Sequence, residues 1–226
     1  MKKNAPLQIF LNGIFYENPI AVLFLSICPA LALTTLVSSS LAMGIAFTAV
    51  ILFSNVLISL LKNIIPESIQ TTAYIIISAG IVSIISMIFN AYFFGIFEAI
   101  GIYLPLIVVN SAIVSRGKGF ASKKSVLDSA VDGIGMGLGF TLVMFVMSTV
   151  RELLGAGTWF GMNALEAING VFSSDIQPFK VLSAPAGGFF VYGVIAALFA
   201  YVLTKIGRAS TGSSEAKSAS QIKEEN

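Results

Sequence analysis

No charged residue lies between Glu17 and Lys62, and none between Glu67 and Glu98. Water does not solvate intervals this long and this rich in Leu, Ile, Val, Phe and Ala. Hydrocarbon does, provided the backbone satisfies its own hydrogen bonds as helix. Only 11% of the 226 residues are Asp, Glu, Lys or Arg, against roughly 25% in soluble domains. The chain is therefore read as an all-α integral membrane protein. Six apolar stretches, near 19–37, 41–62, 71–94, 97–115, 133–154 and 184–206, reach the roughly 20 residues that one crossing needs.

Around these spans the composition changes. Residues 1–18 form an N-terminal cytoplasmic segment, 19–206 the membrane domain, and 207–226, polar and Ser-rich, a disordered tail. Residues 154–183 mix apolar and polar residues with Gly and Pro, which predicts an external loop with an interfacial helix anchored by Trp159 and Phe160. The N-terminus has no cleavable signal peptide pattern, because polar residues interrupt its apolar part. Lys2 and Lys3, Lys62, the group Arg116, Lys118, Lys123 and Lys124, and Lys205 with Arg208 all fall on one side if both termini are cytoplasmic. The opposite side carries Glu98, Glu166, Asp175 and Lys180. A net charge of +2 then reflects orientation in the membrane rather than nucleic-acid binding.

The sequence repeats itself once. Residues 43–48 read MGIAFT and residues 136–141 read MGLGFT, and the match continues at Val50/Val143, Leu60/Leu153 and Leu61/Leu154. Each copy lies in the middle span of a three-span group, 19–94 and 97–206. An odd number of crossings per group makes the second group enter from the other side, so the expectation is two inverted three-helix repeats. The first span of each group carries a proline, Pro29 near the centre of one and Pro105 in the other. Proline removes a backbone donor and disfavours helix in the residue before it. Broken helices at matching positions point to a midplane site, and two ordinary kinks are the alternative.

Chemistry-bearing residues are few. There is no His, which excludes His-based metal sites and Ser-His-Asp catalysis, and one Cys excludes an internal disulfide. Cys28 is either a soft metal ligand beside a helix break or a small apolar filler. It cannot complete a four-thiolate site alone. Asp132, Arg151 and Glu152 bracket the fifth span and, like Glu17 and Glu98, are placed at span ends where charge costs little. Asn55 and Asn90 serve as interhelical hydrogen-bonding groups. Gly133, Gly135, Gly137 and Gly139 alternate without the Lys-Ser/Thr pair of a phosphate loop. Gly133 and Gly137, four apart, instead permit close helix packing and make the fifth span central.

Read in order, NGIFYENP, CPALALTT, IYLPLIVVN, FASKKSVLDSAVDGIGMGLGFT and RELLGAG resemble the family of E-type membrane subunits of Rnf complexes and their homologues, the D-type subunits of sodium-translocating NADH:quinone oxidoreductases. The resemblance spans about residues 10–206. It implies a subunit that is non-catalytic alone, in a bacterial inner-membrane translocase that couples electron flow between ferredoxin and NAD⁺ to Na⁺ or H⁺ transport. Its partners would be a homologous A-type subunit and the B, C, D and G types, within the lipid bilayer. The resemblance further implies a [2Fe–2S] cluster shared with the A-type partner, two cysteines from each. Cys28 matches the first of these, as an iron ligand. The second would directly follow Asn110, where this chain has Ser111. Ligation through the Ser111 oxygen, which lowers the reduction potential, an altered or lost cluster, and a fourth ligand from elsewhere are the options. Two further readings are a cluster-less scaffold subunit of the same complex and a self-sufficient secondary transporter. Scarce buried charge weighs against the transporter.

Overall fold

The computed structural model describes residues 6–160 and 180–205. The readings for Lys2 and Lys3, for most of the 154–183 loop with Glu166 and Asp175, and for the tail from Arg208 lie outside the described residues. Every regular element that is described is helical. Among the described residues eight α-helices occur: α1 (Pro6–Leu11), α2 (Ile27–Leu33), α3 (Val37–Leu61), α4 (Gln70–Tyr92), α5 (Phe94–Ile100), α6 (Ser111–Arg116), α7 (Val126–Gly155) and α8 (Pro185–Lys205). Four of them, α3, α4, α7 and α8, are long and apolar enough to cross a membrane.

Of the six apolar stretches, the first and fourth are not continuous helices. Residues 19–37 make irregular turns and then only the short α2, and residues 97–115 pass through α5, a 3₁₀ turn at Leu104–Ile107 and the short α6. Both are broken, as their prolines predict, but Pro29 does not kink the centre of a long helix. It occupies the first turn of α2, where the missing N–H has no intrahelical acceptor to lose. The break just before it includes Phe24, held in the left-handed region at φ 55°. That conformation costs a non-glycine residue about 1 kcal/mol or more. Two contacts from Tyr192 of α8 fix the segment: its ring meets Phe24 edge-on at 6.2 Å, and its hydroxyl donates to the Ile20 carbonyl at 3.0 Å.

At the centre α3 and α7 run antiparallel, and the repeated hexapeptide is what joins them. A Cβ on Gly44 would lie 2.6 Å from the Thr141 side chain, and one on Gly137 2.5 Å from Thr48 Oγ1. Phe47 stacks on Phe140 with centroids 4.1 Å apart. Each copy thus presents its glycine to the other's threonine, a reciprocal arrangement about a local two-fold. Each threonine returns its hydroxyl proton to its own helix, Thr48 to the Gly44 carbonyl and Thr141 to the Gly137 carbonyl. Both hydroxyl protons are thereby satisfied without an acceptor on the partner helix.

The alternating glycines of α7 serve two neighbours. Gly133 and Gly137 face α3, as their spacing predicts, and a Cβ on Gly133 would reach the Leu52 backbone at 2.9 Å. Gly135 and Gly139 face the N-terminal segment, where an added Cβ would lie 2.8 Å from the Phe10 carbonyl oxygen and 2.9 Å from that of Gly13. Residues 6–18 are therefore packed into the bundle, with Ile9, Gly13 and Asn18 buried. Asn18 ends this segment. Its amide donates to the carbonyls of Ile14 and Gly139, and its oxygen accepts from the N–H groups of Ile20 and Ala21. α4 covers α3 through Tyr74, Ser78, Ile81, Val82 and Ile85, and α8 packs on α7 and α2. Large apolar side chains such as Ile84, Met87, Phe190 and Leu198 stay exposed, as lipid contact requires.

Gly137→Ala is expected to destabilise the protein by about 1–3 kcal/mol, because the Thr48 backbone cannot recede. Gly80→Ala in α4, where nothing lies within 4 Å, is expected to be neutral or slightly stabilising. Thermal unfolding in detergent compares the two.

Candidate functional site

The two broken spans meet. Ser26, directly before α2, donates its hydroxyl proton to Asn110 Oδ1 at 2.8 Å. Ser111, first in α6, donates to the Leu25 carbonyl at 2.7 Å. Each break thus gives a serine hydroxyl to the other. Asn110 also caps α6 by accepting from the Ala112 N–H at 3.0 Å. These bonds cover backbone and side-chain acceptors that lipid would leave unpaired, at several kcal/mol each. Ser26, Asn110 and Leu25 are wholly or partly buried, whereas Cys28 and Ser111 are exposed at the same junction.

The structure thus brings the predicted site residues Cys28, Asn110 and Ser111 to one locus, together with Ser26, which the sequence pattern does not single out. It does not assemble the implied iron ligands. The chain has a single thiol, and no three Cys, Asp or Glu side chains gather for a metal among the described residues. The Ser111 hydroxyl directs its proton to the Leu25 carbonyl, so it acts as a neutral donor holding two helix ends together. A two-thiolate half-site does not fit these residues.

Charge is also buried. Asp132, Arg151 and Glu152 lie toward the ends of α7, as expected, but they are not exposed there: all are essentially inaccessible. Each is held by polar partners, which offsets the cost of burial. Arg151 donates to the carbonyls of Leu31, Leu182, Ser183 and Ala184 and to Thr34 Oγ1, closing the end of α2 onto the turn before α8. Glu152 accepts from the Val37 N–H at 2.6 Å and so caps the start of α3. A carboxylate beside the first N–H groups of a helix is stabilised by the helix dipole. Arg116, expected in a basic loop, is largely buried at the end of α6 and bridges Glu17 and Asp132. Asn55 donates across the α3–α7 interface to Asp132 Oδ2 at 3.3 Å, as an interhelical role predicts, while Asn90 is exposed. One signal for this cluster was available: Asp132 and Asn55 lie at equivalent depth once the two hexapeptides are paired antiparallel.

Long apolar helices around two interlocked broken spans define a polytopic membrane protein. The family model described as "Rnf-Nqr subunit, membrane protein" matches residues 6–196, and the chain belongs to that family. It is 39% identical over 187 residues to the E-type subunit of the Na⁺-translocating ferredoxin:NAD⁺ oxidoreductase complex of Acetobacterium woodii, covering 83% of this chain and 92% of that one. Identity is also 39% over 191 residues to the E-type subunit of the proton-translocating ferredoxin:NAD⁺ oxidoreductase complex of Clostridium ljungdahlii, covering 84% and 86%. The E-type subunit of an ion-translocating oxidoreductase complex of a Shewanella species matches at 36% over 199 residues, covering 84% and 85%.

Ser111→Ala should lower stability by about 0.5–1.5 kcal/mol through loss of the 2.7 Å bond, read as detergent unfolding. Ser111→Cys places a second thiol at the junction. Purified membrane protein carrying it should bind more iron than the natural sequence, measured by iron analysis and visible absorption.

Proposed function

We propose that this chain is the E-type membrane subunit of an ion-translocating ferredoxin:NAD⁺ oxidoreductase in a bacterial plasma membrane, where it serves as a structural scaffold. The supporting observation is the junction of α2 and α6 within a chain whose relatives, matched over most of their length, are named as E-type subunits. Broken backbone at membrane depth is tolerated only where protein or a cavity covers it. The junction leaves Cys28, Val109 and Ser111 exposed on this single chain, so another membrane protein is needed there. A homologous A-type subunit with matching breaks fits that face, and the B, C, D and G types complete the assembly.

The reciprocal pairing of the hexapeptides supports an architecture of two inverted repeats, with the α3–α7 contact on their axis. Both termini are cytoplasmic in this reading. In support, Lys62 donates to the Lys124 carbonyl at 2.8 Å, so two of the basic groups share one end of the bundle. With its thiolate donors ending at Cys28, the chain serves in this reading as a scaffold and not as an electron carrier.

An affinity tag on this chain should retrieve the other subunits from gently solubilised membranes. Deleting its gene should abolish NAD⁺ reduction by reduced ferredoxin in those membranes. Recovery of the chain alone, with that activity intact in the deletion strain, would refute the assignment.

A further inference from the structure

We infer that the outer face of the broken fourth span, with Glu98 at its head, is the docking surface for a membrane helix that carries a Lys or Arg level with Glu98. The inference rests on the functional reading above only for which subunit supplies that helix.

The face is continuous. Ile100, Leu104, Ile107 and Asn110 are buried and form the inner side of the span. Between them Glu98, Ile102, Leu106 and Val109 are exposed, Ile102 to 84%. These four recur every three or four residues, which is one side of a helical path. The face therefore runs from Glu98 to the junction, where Ser111 is exposed as well.

Depth makes the carboxylate costly. Tyr92, Phe93 and Phe94 are exposed where α4 gives way to α5, and exposed aromatic rings at a helix end mark the membrane rim. From that rim α5 turns back along α4 and α3. Glu98 lies four residues past Phe94, about 6 Å along a helix. Exposed Phe94 and Ile102 stand one turn to either side of it. A carboxylate among such neighbours is drawn from bulk water and meets no donor in hydrocarbon.

No cation of this chain answers it among the described residues. The ion pairs there are all made by Arg116, to Glu17 and Asp132. Lys62 and Lys124 meet at the opposite end of the bundle, and Lys118 and Lys123 belong to the same basic turn. Arg151 is on the near side, but carbonyls and Thr34 take every one of its N–H groups. The turn that carries Lys180 packs on α7 and α8, whereas α5 packs on α3 and α4.

The charge decides the occupant. Acyl chains would cover Ile102, Leu106 and Val109 but offer Glu98 nothing. A membrane helix with a Lys or Arg one turn inside the rim covers the apolar strip and pairs the carboxylate at once. Each charge then offsets the cost of removing the other from water. A helix with an acidic or apolar residue at that level is rejected, so the pair also selects the partner and its register. Continuity with the junction points the same way, because Val109 and Ser111 already need a neighbouring protein.

The test is photocrosslinking in native membranes with Ile102 replaced by p-benzoylphenylalanine. One discrete protein adduct is expected, and mass spectrometry should place a Lys or Arg of the partner within about one helical turn of the crosslinked residue. Glu98→Lys should lower the adduct yield about tenfold, and Glu98→Asp should keep it. Changing the partner's cation to Glu should restore the adduct in Glu98→Lys. Thermal unfolding of the chain alone in detergent should be the same for each Glu98 variant, because the side chain is exposed. Lipid adducts alone, or a protein adduct indifferent to Glu98→Lys, would overturn the inference. A charge-dependent adduct to a protein outside the complex supports the docking face and refutes the functional reading. Retrieval of the other subunits by a tag on the natural chain, with only lipid adducts at Ile102, refutes the docking face and leaves that reading standing.

Discussion

The close antiparallel contact of α3 with α7 is the constraint on which the rest of the bundle depends. In lipid there is no hydrophobic drive between helices, so association relies on van der Waals packing, which improves steeply as backbones approach. The glycine of each hexapeptide admits the threonine of the other, and the two phenylalanines stack beside them. Because each threonine directs its hydroxyl to its own helix, close approach strands no polar group there. α7 then uses its second glycine edge for the N-terminal segment. One helix consequently organises α3, residues 6–18 and α8.

Around that pair the bilayer imposes a second rule: every irregular stretch must find partners for its backbone. The two breaks solve this mutually, serine to asparagine one way and serine to carbonyl the other. Arg151 plays the same part for the end of α2 and the turn before α8, and Glu152 for the start of α3. These two side chains are adjacent in sequence and opposite in charge, and each reaches a different set of backbone groups. Asp132 differs from both, because its guanidinium partner is shared with Glu17.

That division explains which side chains are misplaced when the chain is read alone. Asp132, Arg151 and Glu152 lie near the ends of a 30-residue helix, where a charge is ordinarily exposed to headgroups. They are buried here because neighbours distant in sequence reach over them: Val37 is 115 residues from Glu152, and Leu31 is 120 from Arg151. Nothing local to RELLGAG announces those partners. The FYENP motif is similar. Its Glu17 and Asn18 look like turn residues, but one binds Arg116 and the other joins the α7 backbone at Gly139.

What the sequence determined by itself was the apolar surroundings, the helical class, six apolar stretches that include the four long helices, and the location of the two breaks. These follow from charge-free length, from proline's missing donor and from the spacing of glycines, all of which act within a few residues. It also showed that thiolate chemistry in this chain stops at Cys28. Tertiary structure decided that the breaks interlock, that the repeated hexapeptides pair with each other, and that Asp132, Arg151 and Glu152 lie in the interior. Such choices depend on contacts between segments far apart in the chain, whose free energies arise only when the helices are assembled.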